Sequence, residues 1–121
     1  NIVDFIDHTN LKAFSTEDDI NKLCKEAVNH SFYAICVNGC WVKHSKAQLK
    51  DSSVKVAAVI GFPLGAAATA SKVFEAKQCV EDGAEEIDMV INIGLLKSYK
   101  YDEVREDIRA IKEAIGTNCL K

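Results

Sequence analysis

Glu86-Ile87-Asp88-Met89-Val90-Ile91-Asn92 is the stretch whose reading decides the fold. Ile87 to Ile93 is an apolar run of strand length, and a strand sends alternate side chains to opposite faces. Asp88, Val90 and Asn92 therefore share one face, opposite Ile87, Met89 and Ile91. Earlier runs repeat the pattern. In the first, opened by Phe5-Ile6, the residues Phe5, Asp7 and Thr9 share a face; around the second, Tyr33 to Val37, so do Ala34, Cys36 and Asn38. A further run, Val54 to Phe62, is mostly aliphatic. In an open doubly wound sheet both faces lie under helices, and polar groups in mid-strand are costly. In a closed (β/α)8 barrel the apolar face meets the helices and the polar face lines the interior near the C-terminal mouth. The parity favours the barrel.

Helix patterns separate the runs. Thr16, with Asp19 three residues on, reads as a cap before Ile20, Leu23, Cys24, Ala27 and Val28. Trp41, Ser45 and Leu49 suggest a shorter helix, and Val73, Ala76 and Val80 form a stripe closed by Gly83. Val104, Ile108, Ile111 and Ile115 form the clearest stripe, closed by Gly116. Strand and helix alternate as four βα units of about 30 residues each, which implies a parallel sheet covered by helices. Cys119-Leu120-Lys121 reads as the start of a fifth strand. A whole barrel takes about 250 residues, so the expected fold class is α/β, the N-terminal half of a TIM (β/α)8 barrel. Residues 1–121 then form a single partial domain whose first and fourth strands are open edges.

Composition limits the partners. Fifteen Lys and Arg against eighteen Asp and Glu give a net charge of −3, and 48% of residues are apolar. A chain of this size buries roughly 65% of its unfolded surface, enough for a core. The acidic balance offers no general attraction to nucleic acid or to an anionic membrane. The longest apolar run, Val56 to Ala68, is broken by Gly61, Pro63 and Gly65, and nothing in it spans a bilayer. Asn1-Ile2-Val3-Asp4 lacks the basic start of a signal peptide, so a cytoplasmic protein is expected. The five cysteines, Cys24, Cys36, Cys40, Cys79 and Cys119, are odd in number and off framework spacing, as buried free thiols would be. Cys36, Cys40 and His44, spaced four apart, are the one zinc-like set; no second ligand pair follows, and no metal is expected.

Asp88 is the most informative residue. A carboxylate between two apolar strand residues must be paired, hydrogen-bonded or protonated, since an uncompensated buried charge costs several kcal/mol. Two readings stand: a general acid/base, or a structural ion pair inside the barrel. Asp7 and Thr9 end the first strand on its inward face, placed either to hold substrate hydroxyls or to satisfy a strand-end turn. His8 between them points outward. Cys36 holds the equivalent place on the second strand, as a small core residue or as a thiol near the mouth. Gly61-Phe62-Pro63-Leu64-Gly65 reads as a rigid turn or as an anion cradle, without the spacing of a nucleotide motif. An amine nucleophile needs a desolvated pocket or a cationic neighbour. No lysine has that setting, Lys55 lying at the start of its strand.

Ile6-Asp7-His8-Thr9-Asn10-Leu11-Lys12, Ala34-Ile35-Cys36-Val37-Asn38, Val59-Ile60-Gly61-Phe62-Pro63-Leu64-Gly65 and Glu86-Ile87-Asp88-Met89-Val90-Ile91-Asn92 together resemble the successive signatures of the deoxyribose-phosphate aldolases. Gly94-Leu95-Leu96-Lys97 and the helix start at Tyr101-Asp102 fit the same family. The resemblance covers the whole chain. It implies a (β/α)8 barrel and a class I aldolase that cleaves 2-deoxy-D-ribose 5-phosphate to acetaldehyde and D-glyceraldehyde 3-phosphate through a lysine Schiff base, with no cofactor. It also implies a homodimer in the cytoplasm. Asp88 matches the family's proton-relay aspartate, Asp7 and Thr9 its first-strand residues near the substrate, and Cys36 its second-strand cysteine. The Schiff-base lysine, the helper lysine and the phosphate site belong to the family's second half-barrel and have no counterpart here. The alternative is a non-catalytic half-barrel that self-associates or binds a partner.

Overall fold

Thr16 and Asp19 close the capping box that their spacing predicts. Thr16 Oγ1 accepts from the Asp19 amide at 3.3 Å, and Asp19 Oδ2 accepts from the Thr16 amide at 2.8 Å. From that cap α1 runs over Glu17–Asn29 and buries Ile20, Leu23, Cys24 and Ala27. In the computed structural model, which describes residues 1–121, the same strand-to-helix step recurs along the chain. The strands are β1 (Asp7–Asn10), β2 (Ala34–Val37), β3 (Lys55–Ile60), β4 (Glu86–Met89) and β5 (Cys119–Leu120). The later helices are α2 (Val42–Gln48), α3 (Thr69–Glu81), α4 (Ile93–Lys97) and α5 (Tyr101–Ile115).

The strands pair in parallel in the order β1-β2-β3-β4-β5. A doubly wound sheet reverses its strand order at a switch point; this one does not, and half of a (β/α)8 barrel is the result. Ile35, Val37, Val56, Ala58, Ile60 and Ile87 face outward into a core shared with the helices. Cys36, Ala57 and Val59 form a separate small cluster on the inward face, with Leu11 packed against it. The sheet curls: Lys121, just past β5, makes an ion pair with Asp7 of β1 across the inner face.

Several expected boundaries move, each for a local reason. Ile2–Phe5 is a 3-10 turn and not strand, held by the Asp4 amide on Asn1 O at 3.1 Å, and Phe5 is exposed. β4 stops at Met89, because Asn92 Oδ1 accepts from the Leu95 amide at 3.0 Å and starts α4. Asp88 therefore does not share a strand face with Val90 and Asn92. β5 pairs with β4, so the open edges are β1 and β5, not the first and fourth strands.

The α3 stripe shifts by one residue at two of its three positions, and the α5 stripe holds except at one. α3 buries Lys72, Ala76 and Cys79, while Val73 and Val80 are half-buried. α5 buries Val104, Asp107, Ile111 and Ile115 and leaves Ile108 exposed. Lys72 Nζ lies 2.7 Å from Asp107 Oδ2, and a neutralised pair can occupy core positions closed to either charge alone. Val28 of the α1 stripe is also exposed. Cys24, Cys36 and Cys79 are buried free thiols as expected, whereas Cys40 and Cys119 are exposed. No helix is long and apolar enough to cross a membrane.

Candidate active site

Strand register assembles the inward face. Thr9 stands beside Cys36, Cys36 beside Ala57, Ala57 beside Glu86, and Glu86 beside Cys119. Asp88 is one inward position further along β4, opposite Val59. Between Cys36 and Asp88 on this face stand Ala57 and Val59, buried in a cluster against which Leu11 packs. Asp88 itself is half-buried on the same face.

The ion pairs of the inner face run through other residues. Lys121 Nζ reaches Asp7 Oδ2, and lies 2.8 Å from Glu86 Oε2 at an angle that makes no hydrogen bond. Glu86 Oε1 accepts from Tyr33 Oη at 2.9 Å, and Tyr33 Oη accepts from Lys55 Nζ at 3.1 Å. Burial alone would raise the Glu86 carboxyl, but Lys121 and Tyr33 outweigh it and hold the group below the usual carboxylate range. Burial likewise works to lower the Lys121 ammonium, yet Asp7 and Glu86 raise it well above the ordinary lysine value. Lys121 is therefore held as an ion-paired cation between Asp7 and Glu86.

Cys36 is 3% exposed, and burial, followed by the charges of Asp88 and Asp7, pushes its thiol up to about 11. It stays protonated near neutral pH and acts as a small neutral wall, since the thiolate is the reactive form. Thr9 is exposed at the rim, and its hydroxyl donates to the Asp7 carbonyl oxygen at 2.8 Å. His8 points outward, its Nε2 2.7 Å from Glu26 Oε2. The strands thus bring Asp7, Cys36 and Asp88 to one surface, with Thr9 at its edge.

The zinc-like set does not converge. Cys36 faces inward, Cys40 is exposed, and His44 Nε2 lies 2.7 Å from Asn21 Oδ1. No three His, Cys, Asp or Glu side chains converge as metal ligands. The loop after β3 is a rigid turn: the Gly61 amide donates to Glu75 Oε2 at 2.9 Å and the Gly65 amide to Gly61 O at 2.7 Å. With both amides occupied and a carboxylate alongside, it is no anion cradle.

Glu86, Lys121 and the Lys72–Asp107 pair went unread in the sequence. Glu86 had a signal, since it shares the parity of Asp88 two residues on. Lys121 had the same signal just past β5, where it alternates with Leu120. Lys72 and Asp107 carry no local signal, because each charge is explained only by a partner on another helix.

Comparison with known proteins agrees with this architecture. A deoxyribose-phosphate aldolase from Finegoldia magna is 53% identical over 117 residues, covering 97% of this chain and 55% of the relative. The crystal structure of a Coccidioides immitis protein, provisionally named a deoxyribose-phosphate aldolase, matches with a TM-score of 0.95 and 37% identity, over 99% of this chain and 49% of that one. The tetrameric deoxyribose phosphate aldolase of Aeropyrum pernix matches with a TM-score of 0.80 and 30% identity, over 95% of this chain and 49% of its own. The chain spans about half the length of these relatives. The sequence model described as DeoC/LacD family aldolase matches residues 2–121, and the chain belongs to that family.

Proposed function

We propose that residues 1–121 are one partial domain, the N-terminal half of the barrel of a deoxyribose-phosphate aldolase. The complete protein cleaves 2-deoxy-D-ribose 5-phosphate reversibly to acetaldehyde and D-glyceraldehyde 3-phosphate. A lysine amine adds to the sugar carbonyl carbon and water leaves, giving an iminium. The C–C bond then breaks with its electron pair moving toward the iminium nitrogen, while a base takes the proton of the adjacent hydroxyl. Because the iminium is the electron sink, the chemistry asks for no cofactor.

One observation carries this reading. Asp88 presents a carboxylate to the interior, clear of the ion pairs made by Asp7, Glu86 and Lys121, and beside the neutral thiol of Cys36. That is a carboxylate free to move protons. Asp7, Thr9 and Cys36 line the substrate's side of the interior in this reading. The amine comes from outside residues 1–121: Lys121 is held as a cation, Lys72 is bound to Asp107, and Lys55 lies at the N-terminal end of β3. The protein is cytoplasmic and homodimeric in this reading. The second reading is a non-catalytic half-barrel that associates with itself or a partner.

The test uses the full-length protein with the sugar phosphate, an acetaldehyde assay, and borohydride trapping read by peptide mass spectrometry. Turnover is expected, with one lysine outside residues 1–121 reduced stoichiometrically. Absence of turnover supports the non-catalytic reading. Stoichiometric trapping at a lysine within residues 1–121, competed by substrate, overturns the placement of the chemistry.

A further inference from the structure

The side chain of Lys72 is completely buried. Its Nζ donates to Asp107 Oδ2 at 2.7 Å and to the Val90 carbonyl oxygen at 3.2 Å. Asp107 Oδ1 in turn accepts from Thr69 Oγ1 at 2.7 Å. The lysine stem lies against Gly61, where an added Cβ would stand 3.1 Å from Lys72 Cε. One side chain of α3 therefore touches α5, the residue that follows β3, and the segment that follows β4.

The Val90 peptide is held from both sides. Its carbonyl accepts from Lys72, and its amide donates to Ile60 O at 3.2 Å. Val90 lies two residues beyond Asp88, and Asp88 pairs in register with Val59. A buried ion pair is weak support for stability, because apolar residues of similar volume often do as well. An apolar side chain has nothing to donate to the Val90 carbonyl, whereas an ammonium has three donors. The feature particular to a lysine here is the grip on the exit of β4.

We propose that Lys72, braced by Asp107 and Thr69, is a positioning residue that fixes where β4 leaves the sheet and so sets the direction of the Asp88 carboxylate. This rests on the aldolase reading of Asp88. The test compares the full-length protein with its Lys72→Met/Asp107→Leu double variant, which removes both charges together and conserves volume. A displacement near 1 Å at a reacting group costs up to about 100-fold in rate. The double variant should unfold cooperatively, keep KM, lose about 10- to 100-fold in kcat with a shifted pH profile, and exchange its Val90 amide faster. Wild-type kcat and pH profile in a folded double variant overturn the proposal. Should that variant fail to fold, Thr69→Val decides: a smaller loss of kcat at constant KM supports the brace, and wild-type kcat overturns it. If the unsubstituted protein does not cleave the sugar, the aldolase reading fails by itself. Amide exchange at Asp88, Met89 and Val90 then decides the brace, faster exchange in the variant supporting it and unchanged exchange overturning it.

Discussion

Glu86 and Asp88 sit two residues apart on one face of β4 and do opposite things. Glu86 is tied to Tyr33 and Lys121, and its lowered pKa means that its contribution to stability is present above the ordinary carboxylate range and fades as pH falls through the folded value. Asp88 stands outside that network. In the full-length protein Asp88→Asn conserves shape and removes the base, so the variant should keep its unfolding transition. Its turnover of 2-deoxy-D-ribose 5-phosphate should fall at least about 100-fold, since general acid/base steps contribute about 100- to 10,000-fold. Undiminished turnover in a folded Asn variant would reduce Asp88 to a structural residue. Asp7, Cys36 and Asp88 were legible as inward residues because a strand's period of two needs only the sequence. Lys121 was harder to place, as its carboxylate partner Asp7 lies 114 positions away.

Among the elements, what the sequence specifies locally is where expectation and structure agree. The Thr16–Asp19 cap and the glycines at 83 and 116 depend on residues within one turn, and the helices begin and end there. The end of β4 was misread because a neighbouring polar side chain, Asn92, offers the backbone a different partner, and the start of β1 because Asp4 and Asn1 close a backbone turn before it. The α3 stripe, and Ile108 of the α5 stripe, were misread because hydrophobicity alone cannot credit a charge with a core position. The loop between β3 and α3 gives the sharpest test. Gly65 has φ +66, and an added Cβ would collide with the Ile91 carbonyl oxygen, a backbone atom with little freedom to retreat. A left-handed backbone costs a non-glycine residue about 1–2 kcal/mol before any collision. Gly65→Ala should therefore lower the unfolding free energy of the full-length protein by more than about 2 kcal/mol in urea. Wild-type stability would mean that the two loops do not meet as described.

At the scale of the whole molecule, the unbroken strand order distinguishes half of a barrel from an open sheet, and it follows from alternation and parity together. The position of the edges did not follow, because Cys119 and Leu120 pair with Glu86 and Ile87 and so cover β4. Residues 1–121 prepared alone leave β1 and β5 unpaired and the charged inner face open to water. Exposed edges recruit other chains. This half-barrel should sediment as dimers or larger species in analytical ultracentrifugation. A compact monomer with protected amides on both edge strands would contradict that. The contact between Lys121 and Asp7 has one more consequence. Each neighbouring pair of strands closes a loop of one βα unit, whereas this contact joins residues 114 apart. Closure entropy rises with the logarithm of loop length, and long-range contacts are repaid only after shorter ones have formed. The curvature of the inner face is thus expected to arrive last in folding, after the ladder has zipped from neighbour to neighbour.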